Sequence, residues 1–188
     1  MVNFSTRGTT YLFYGRGDAC TSSAAYDIDN PDEVFAGGDS DERFGAAISI
    51  SGDVNGDGCH DLLIGSSGDL SSIAGSVYLI HGRGSNCATE YQGSYPGEGE
   101  SADSSFTSDD ATDGFGAYIT AGDINGDGCS DFAFAAPSTN DSAGRVYMYY
   151  GQGANCSSNE AYGDLSSADL TYSGQTASNQ LGYATSLE

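Results

Sequence analysis

At 188 residues the chain has the length of one domain, and 27 acidic against 5 basic residues leave a net charge of −22. That charge excludes ordinary nucleic-acid binding, which needs a basic face for phosphates, and it opposes docking on anionic lipid. No apolar run approaches the roughly 20 residues that span a bilayer, and two histidines leave little for His-based catalysis or a His-rich metal site. Residues 1–15 lack the basic start and apolar stretch of a signal peptide, so none is expected within this sequence.

The first element, TTYLFYGRGDAC at 9–20, is a short β-rich run followed by glycines. A weaker strand is expected around Val34-Phe35. Residues 44–65, FGAAISISGDVNGDGCHDLLIG, read as strand, acidic turn and strand: Ala46, Ile48 and Ile50 alternate with Ala47 and Ser49, and Leu62 to Ile64 form an apolar run. SVYLIHGRGSNC at 76–87 is another strand with its turn. The polar stretch 88–105 reads as a loop, and Phe106-Thr107 as a weak strand. The series then starts again with FGAYITAGDINGDGCSDFAFAA at 115–136, RVYMYYGQGANC at 145–156, a polar loop at 157–168 and a weak strand at Leu170–Tyr172. Leu181-Gly182-Tyr183-Ala184 opens the pattern once more, and no segment carries a helical stripe.

The chain is therefore a repeat. Asp53 and Asp123 are 70 residues apart, whereas Phe44-Gly45 and Phe115-Gly116 are 71 apart, which predicts one extra residue in the first strand of the first copy as a β-bulge. Four short strands per unit of about 70 residues predict an all-β fold of antiparallel four-stranded blades from a β-propeller. We expect a single partial propeller over 1–188: 9–43 the outer half of a blade, 44–114 and 115–180 two blades with acidic loops, and 181–188 the start of the next. Such a set cannot close a ring, which takes about four to eight blades. A piece of a larger protein, or a ring completed by several chains, is the expectation, with self-association through open strand edges and apolar blade faces.

The acidic loops carry the chemistry. Asp53, Asn55, Asp57 and Asp61 occupy loop positions 1, 3, 5 and 9, and Asp123, Asn125, Asp127 and Asp131 repeat them. Alternate residues of a tight loop point their oxygens at one centre, and Cys59 or Cys129 at position 7 can add its backbone carbonyl. Ca²⁺ takes six to eight hard oxygens, so two Ca²⁺ sites are predicted; Mg²⁺ suits the loops less because it keeps its waters. Gly58 and Gly128 at position 6 permit the sharp turn. The first six positions match a helix–loop–helix calcium hand, but Ile64 and Phe134 stand where that motif needs a bidentate Glu.

The order Phe-Gly, strand, D-x-N-x-D-G-x-x-D, apolar strand, small residues (Gly65-Ser66-Ser67; Ala135-Ala136-Pro137) and G-x-V-Y resembles the FG-GAP repeat of integrin α-subunit propellers. The resemblance covers nearly all of 9–186. It implies a propeller whose acidic loops join strands 1 and 2 of a blade and bind Ca²⁺ through the residues just named. Blade topology then puts the 1–2 and 3–4 loops on one face, which makes Cys59–Cys87 and Cys129–Cys156 the natural disulfides and leaves Cys20 over. Each bond would add about 3–4 kcal/mol in the chain-entropy model. Five reduced thiols in a cytosolic protein is the alternative; thiolate–zinc chemistry lacks a CxxC spacing.

Together these features predict a non-enzymatic, extracellular or cell-surface module for binding or adhesion, its ligand an unknown protein or glycan met on the face of the 2–3 and 4–1 loops. The alternatives are a lectin or an accessory module of a secreted hydrolase. The Arg16-Gly17-Asp18 tripeptide corresponds to Arg83-Gly84-Ser85 and Gln152-Gly153-Ala154, and reads as a turn with one drifted residue. His81 aligns with Tyr14 and Tyr150 as a packing position, His60 with Ser130 as a solvated one. The 13 tyrosines are expected to pack between blades more than to form a sugar-stacking surface.

Overall fold

A computed structural model describes residues 7–14, 27–38, 41–82, 87, 102–151, 162 and 164–185. Among the described residues ten strands follow in chain order: β1 (Thr9–Leu12), β2 (Glu33–Ala36), β3 (Phe44–Ser51), β4 (Asp61–Ser66), β5 (Ser76–Ile80), β6 (Ser104–Thr107), β7 (Tyr118–Gly122), β8 (Asp131–Ala136), β9 (Arg145–Tyr149) and β10 (Leu170–Ser173). They form one two-stranded sheet, β1-β2, and two four-stranded antiparallel meanders, β3-β4-β5-β6 and β7-β8-β9-β10. The sheets do not close a ring. The weak fourth strands thus form where the pattern put them, although β6 takes in Ser104 and Ser105 from the stretch read as loop, and a 3-10 turn, Leu165–Ser167, interrupts the second polar stretch. Among the described residues no helix is long and apolar enough to cross a membrane.

β4 and β8 are buried along their whole length because each is the second strand of a sheet covered on both faces or flanked by other strands. Side chains alternate between faces, and the core divides accordingly. Leu62, Ile64 and Ile80 turn to Phe35 on the β1-β2 side, with Phe44. Leu63, Val77, Leu79 and Phe106 turn the other way and interlock with Phe132, Phe134, Tyr147 and Tyr149 of the next sheet. Tyr147, Tyr149 and Tyr162 are buried there, so these tyrosines pack between blades. The inner strands β3 and β7 lie side by side.

The Phe-Gly pairs make the seam between sheets. A Cβ on Gly75, just ahead of β5, would lie 1.9 Å from the carbonyl oxygen of Phe115 in the next unit. Gly8 meets Phe44 and Gly144 meets Leu181 in the same way, at 2.0 and 2.3 Å. Backbone hydrogen bonds reinforce two of these seams, with the Phe44 N–H donating to Arg7 O at 2.9 Å and the Leu181 N–H to Ala143 O at 3.0 Å.

The extra residue of the first copy is not where the sequence pattern placed it. β3 does have an irregularity between Phe44 and Ala47, but Phe44 to Ile48 and Phe115 to Ile119 are equally long. Ser51 pairs with Asp61 and Gly122 with Asp131, which leaves Gly52 as the additional residue, at the mouth of the acidic loop. The strand keeps its register, since a slip of one would turn every side chain to the wrong face.

Candidate metal centre

Each acidic loop joins the first two strands of its sheet, and the two are wired alike. Asp53 Oδ1 accepts the Asp57 N–H at 3.0 Å and its Oδ2 the Gly58 N–H at 2.7 Å; Asp123 accepts from Asp127 at 3.2 Å and from Gly128 at 2.9 Å. Asn55 Oδ1 accepts from Asp57 N at 3.1 Å and Asn125 Oδ1 from Asp127 N at 2.9 Å. Asp57 and Asp127 each accept the N–H of the cysteine two residues on, at 2.8 Å. Gly58 and Gly128 sit at φ 88° and 90°, the left-handed turn expected at position 6. The oxygens at positions 1, 3 and 5 are thus aimed into the curl of the loop.

Position 9 is different. Asp61 and Asp131 are fully buried. Asp61 Oδ2 accepts the Val54 N–H at 2.7 Å and Oδ1 the Gly82 N–H at 2.9 Å; Asp131 makes the same pair with Ile124 at 3.0 Å and Gly151 at 2.9 Å. These carboxylates brace the start of the loop against the turn after the third strand. Burial pushes the Asp131 carboxyl up, the Gly151 and Ile124 N–H groups pull it down, and the charges of Asp127 and Asp123 push it up further. Near Asp61 lies His81, its Nδ1 3.4 Å from Asp61 Oδ1. Burial pulls this imidazole down, but Asp61, Asp103 and Asp57 together hold it above its ordinary value. His81 is thus packed, as its alignment with tyrosines predicts, yet in an acidic setting; His60 is exposed.

The disulfide Cys59–Cys87 ties position 7 of the first loop to the 3–4 connection, with Cα atoms 5.1 Å apart. Cys129 is also disulfide-bonded. Cys156, Cys20 and the Arg16-Gly17-Asp18 tripeptide lie outside the described residues.

One set of functional acids escapes the motif. The backbone N–H of Tyr14, His81 and Tyr150 donates to a carboxylate of Asp32, Asp103 and Asp169 respectively, at 2.8 Å in all three. Each aspartate stands immediately before the fourth strand of its unit and pins that strand to the end of the third. The signal was present as an Asp at the same place in three copies.

The fit of a cation follows from the donor set. Each loop offers three carboxylates, an amide oxygen and the position-7 carbonyl, all hard oxygens of the kind Ca²⁺ takes. The position-1, -3 and -5 oxygens each accept only one or two N–H bonds, so lone pairs are left for an ion. Among the described residues no three His, Cys, Asp or Glu side chains are gathered closely enough to hold a metal ion. The fit therefore lies in the type of donor each loop offers, with Asp61 and Asp131 braced beneath it by backbone N–H groups.

On the opposite side of the sheet junction a cavity of about 380 Å³ is lined by Thr107, Ser108, Asp110, Asp113, Arg145 and Tyr147, among others. Burial pushes the Asp113 carboxyl up, against the Ser108 hydroxyl and the Phe115 N–H that favour its ionised form.

The FG-GAP repeat family matches residues 44–80 and 115–149. Integrin alpha-4 of Xenopus laevis is 38% identical over 112 residues, 58% of this chain and 10% of that protein. Integrin alpha-X of Homo sapiens is 52% identical over 40 residues, 21% of this chain and 3% of that protein. The chain spans a tenth or less of the length of these curated relatives. With two four-stranded sheets joined at their Phe-Gly seams, each holding an acidic loop between its first strands, the chain carries two integrin-like FG-GAP repeats.

Proposed function

We propose that the chain is a calcium-stabilised, non-catalytic binding module that works in adhesion at the cell surface or in the extracellular space. The observation that carries this reading is the pair of acidic loops, wired by the same hydrogen bonds 70 residues apart. Asp53, Asn55, Asp57 and the Cys59 carbonyl would hold one ion, and Asp123, Asn125, Asp127 and the Cys129 carbonyl the other, with Asp61 and Asp131 adding charge from below. A bound ion supplies the positive charge that offsets three crowded carboxylates. A disulfide beside the loop agrees with an oxidising compartment. Integrin relatives support the adhesion reading, and the partner is proposed to meet the face of the 2–3 and 4–1 loops.

Isothermal titration with Ca²⁺ is expected to give two ions per chain and a rise in melting temperature. Asp57→Ala and Asp127→Ala should each remove one ion and part of that rise. Full stoichiometry and an unchanged melt in both variants would overturn the ligand assignment.

The uncovered faces are proposed to meet a second copy of the chain. Ile48 and Ile50 are 49% and 61% exposed on the side of the first sheet that β1-β2 covers only in part. On the second sheet Ala133 and Val146, in the places of Leu63 and Val77, are already buried with Ala135 beside Tyr118 and Met148, so the exposed contact is the face of Ile48 and Ile50. Light scattering behind size exclusion in millimolar Ca²⁺ should give a mass above that of one chain, falling on dilution. A monomer at high concentration would defeat this contact.

A further inference from the structure

The two loops share a pattern but not their surroundings. Val54, at position 2 of the first loop, is fully buried in the core between the sheets, beside Phe132 and Phe134. Its counterpart Ile124 is 37% exposed. Asn55 is buried and Asn125 exposed. The loops also touch: the N–H of Ser130, at position 8 of the second, donates to the carbonyl of Asp53, at position 1 of the first, at 3.2 Å. The extra residue Gly52 makes room for this approach, since a Cβ there would lie 2.2 Å from Ser130 Oγ.

We propose that the loops form a coupled pair of unequal sites, the first the tighter, in which an ion in either loop raises the affinity of the other. This rests on the calcium reading above. Binding an ion fixes the backbone of a loop, and part of the binding free energy goes into that ordering. The first loop is already ordered by Val54 in the core, so it spends less. Ordering residues 123–131 fixes the Ser130 N–H, which holds Asp53 in place before the first loop has bound. Coupling of this kind is reciprocal, so each ion favours the other by the same factor.

The test is a Ca²⁺ titration of the full chain and four variants, each checked for native circular dichroism. The wild type should give two unequal constants. Asp127→Ala should leave the first loop about five-fold weaker or more, at the lower end of ordinary coupling, and Asp57→Ala should weaken the second by the same factor. Gly52→Ala touches no proposed ligand side chain but drives a methyl into Ser130 Oγ, and should weaken the tighter site as Asp127→Ala does. Adding Ser130→Ala removes that hydroxyl and keeps the N–H, and should restore the tight constant. Slower hydrogen exchange at the Ser130 amide on Ca²⁺ addition in the wild type, absent in Gly52→Ala, would support the same contact. First-loop affinity unchanged in both Asp127→Ala and Gly52→Ala overturns the coupling and leaves the calcium sites standing. No Ca²⁺ uptake by the wild type overturns both.

Discussion

Gly116→Ala is expected to lower the unfolding free energy by about 3–5 kcal/mol. Gly116 sits at φ 79°, where an L side chain crowds its own carbonyl, at a cost of roughly 1–2 kcal/mol. The larger share comes from outside the residue. A Cβ there would lie 2.5 Å from Ser76 O and 2.7 Å from Ser66 O. Both are main-chain atoms, and Ser66 and Ser76 are paired with each other across β4 and β5, so neither carbonyl can swing aside without breaking that ladder. Gly126→Ala is the matched control. Its φ is 76° but a Cβ there meets nothing within 4 Å, so only the same conformational cost of roughly 1–2 kcal/mol remains. Urea denaturation of both variants separates the two terms. Equal losses would mean that the seam between sheets contributes nothing beyond backbone strain.

Phe106→Ala should be as damaging, about 3–5 kcal/mol. The side chain comes from the fourth strand of the first sheet and is fully buried. It lies among four rings: Phe134 at 4.8 Å between centroids, Tyr149 at 4.9 Å, Phe132 at 6.0 Å and Tyr162 at 6.5 Å. Truncation loses the transfer free energy of the ring and leaves a cavity walled by strands that are hydrogen-bonded on both sides, which limits collapse. Edge-to-face and tilted pairs of this kind add about 0.5–1.5 kcal/mol each beyond area. Against a total of roughly 5–15 kcal/mol for a domain, the variant should unfold at far lower urea with an unchanged slope. A loss under about 1.5 kcal/mol would show that the sheets do not depend on this contact.

Much of this molecule is legible in its residues because its chemistry is repeated. Two copies of D-x-N-G-D-G-C-x-D give the turn, its glycines and its aimed oxygens, since each depends only on neighbours within nine positions. The Cys59–Cys87 bond was legible once four strands per unit put the two loops on one side. What stayed hidden depends on distant contacts. Counting spacings showed one extra residue but could not say that it was Gly52, because only the ladder from Ser51 to Asp61 distinguishes strand from loop. Asp61 and Asp131 carry the motif's last position, and nothing local tells that both of their oxygens bind backbone across to Gly82 and Gly151. Asp32, Asp103 and Asp169 look like ordinary surface acids in a chain with 27 acidic residues, and excess acidity masked three that hold strands together.

The seams at Gly8–Phe44, Gly75–Phe115 and Gly144–Leu181 shift the unit of cooperativity away from the unit of sequence. Each repeat is completed by the first two residues of its successor, which close over the glycine ahead of its third strand. The structural unit is therefore one repeat plus a borrowed Phe-Gly, and neighbouring repeats overlap by those residues like tiles on a roof. Folding of such an array behaves as a line of nearest-neighbour contacts. Fraying at one seam uncovers the repeat before it, so stability lost in one blade is passed backwards along the chain.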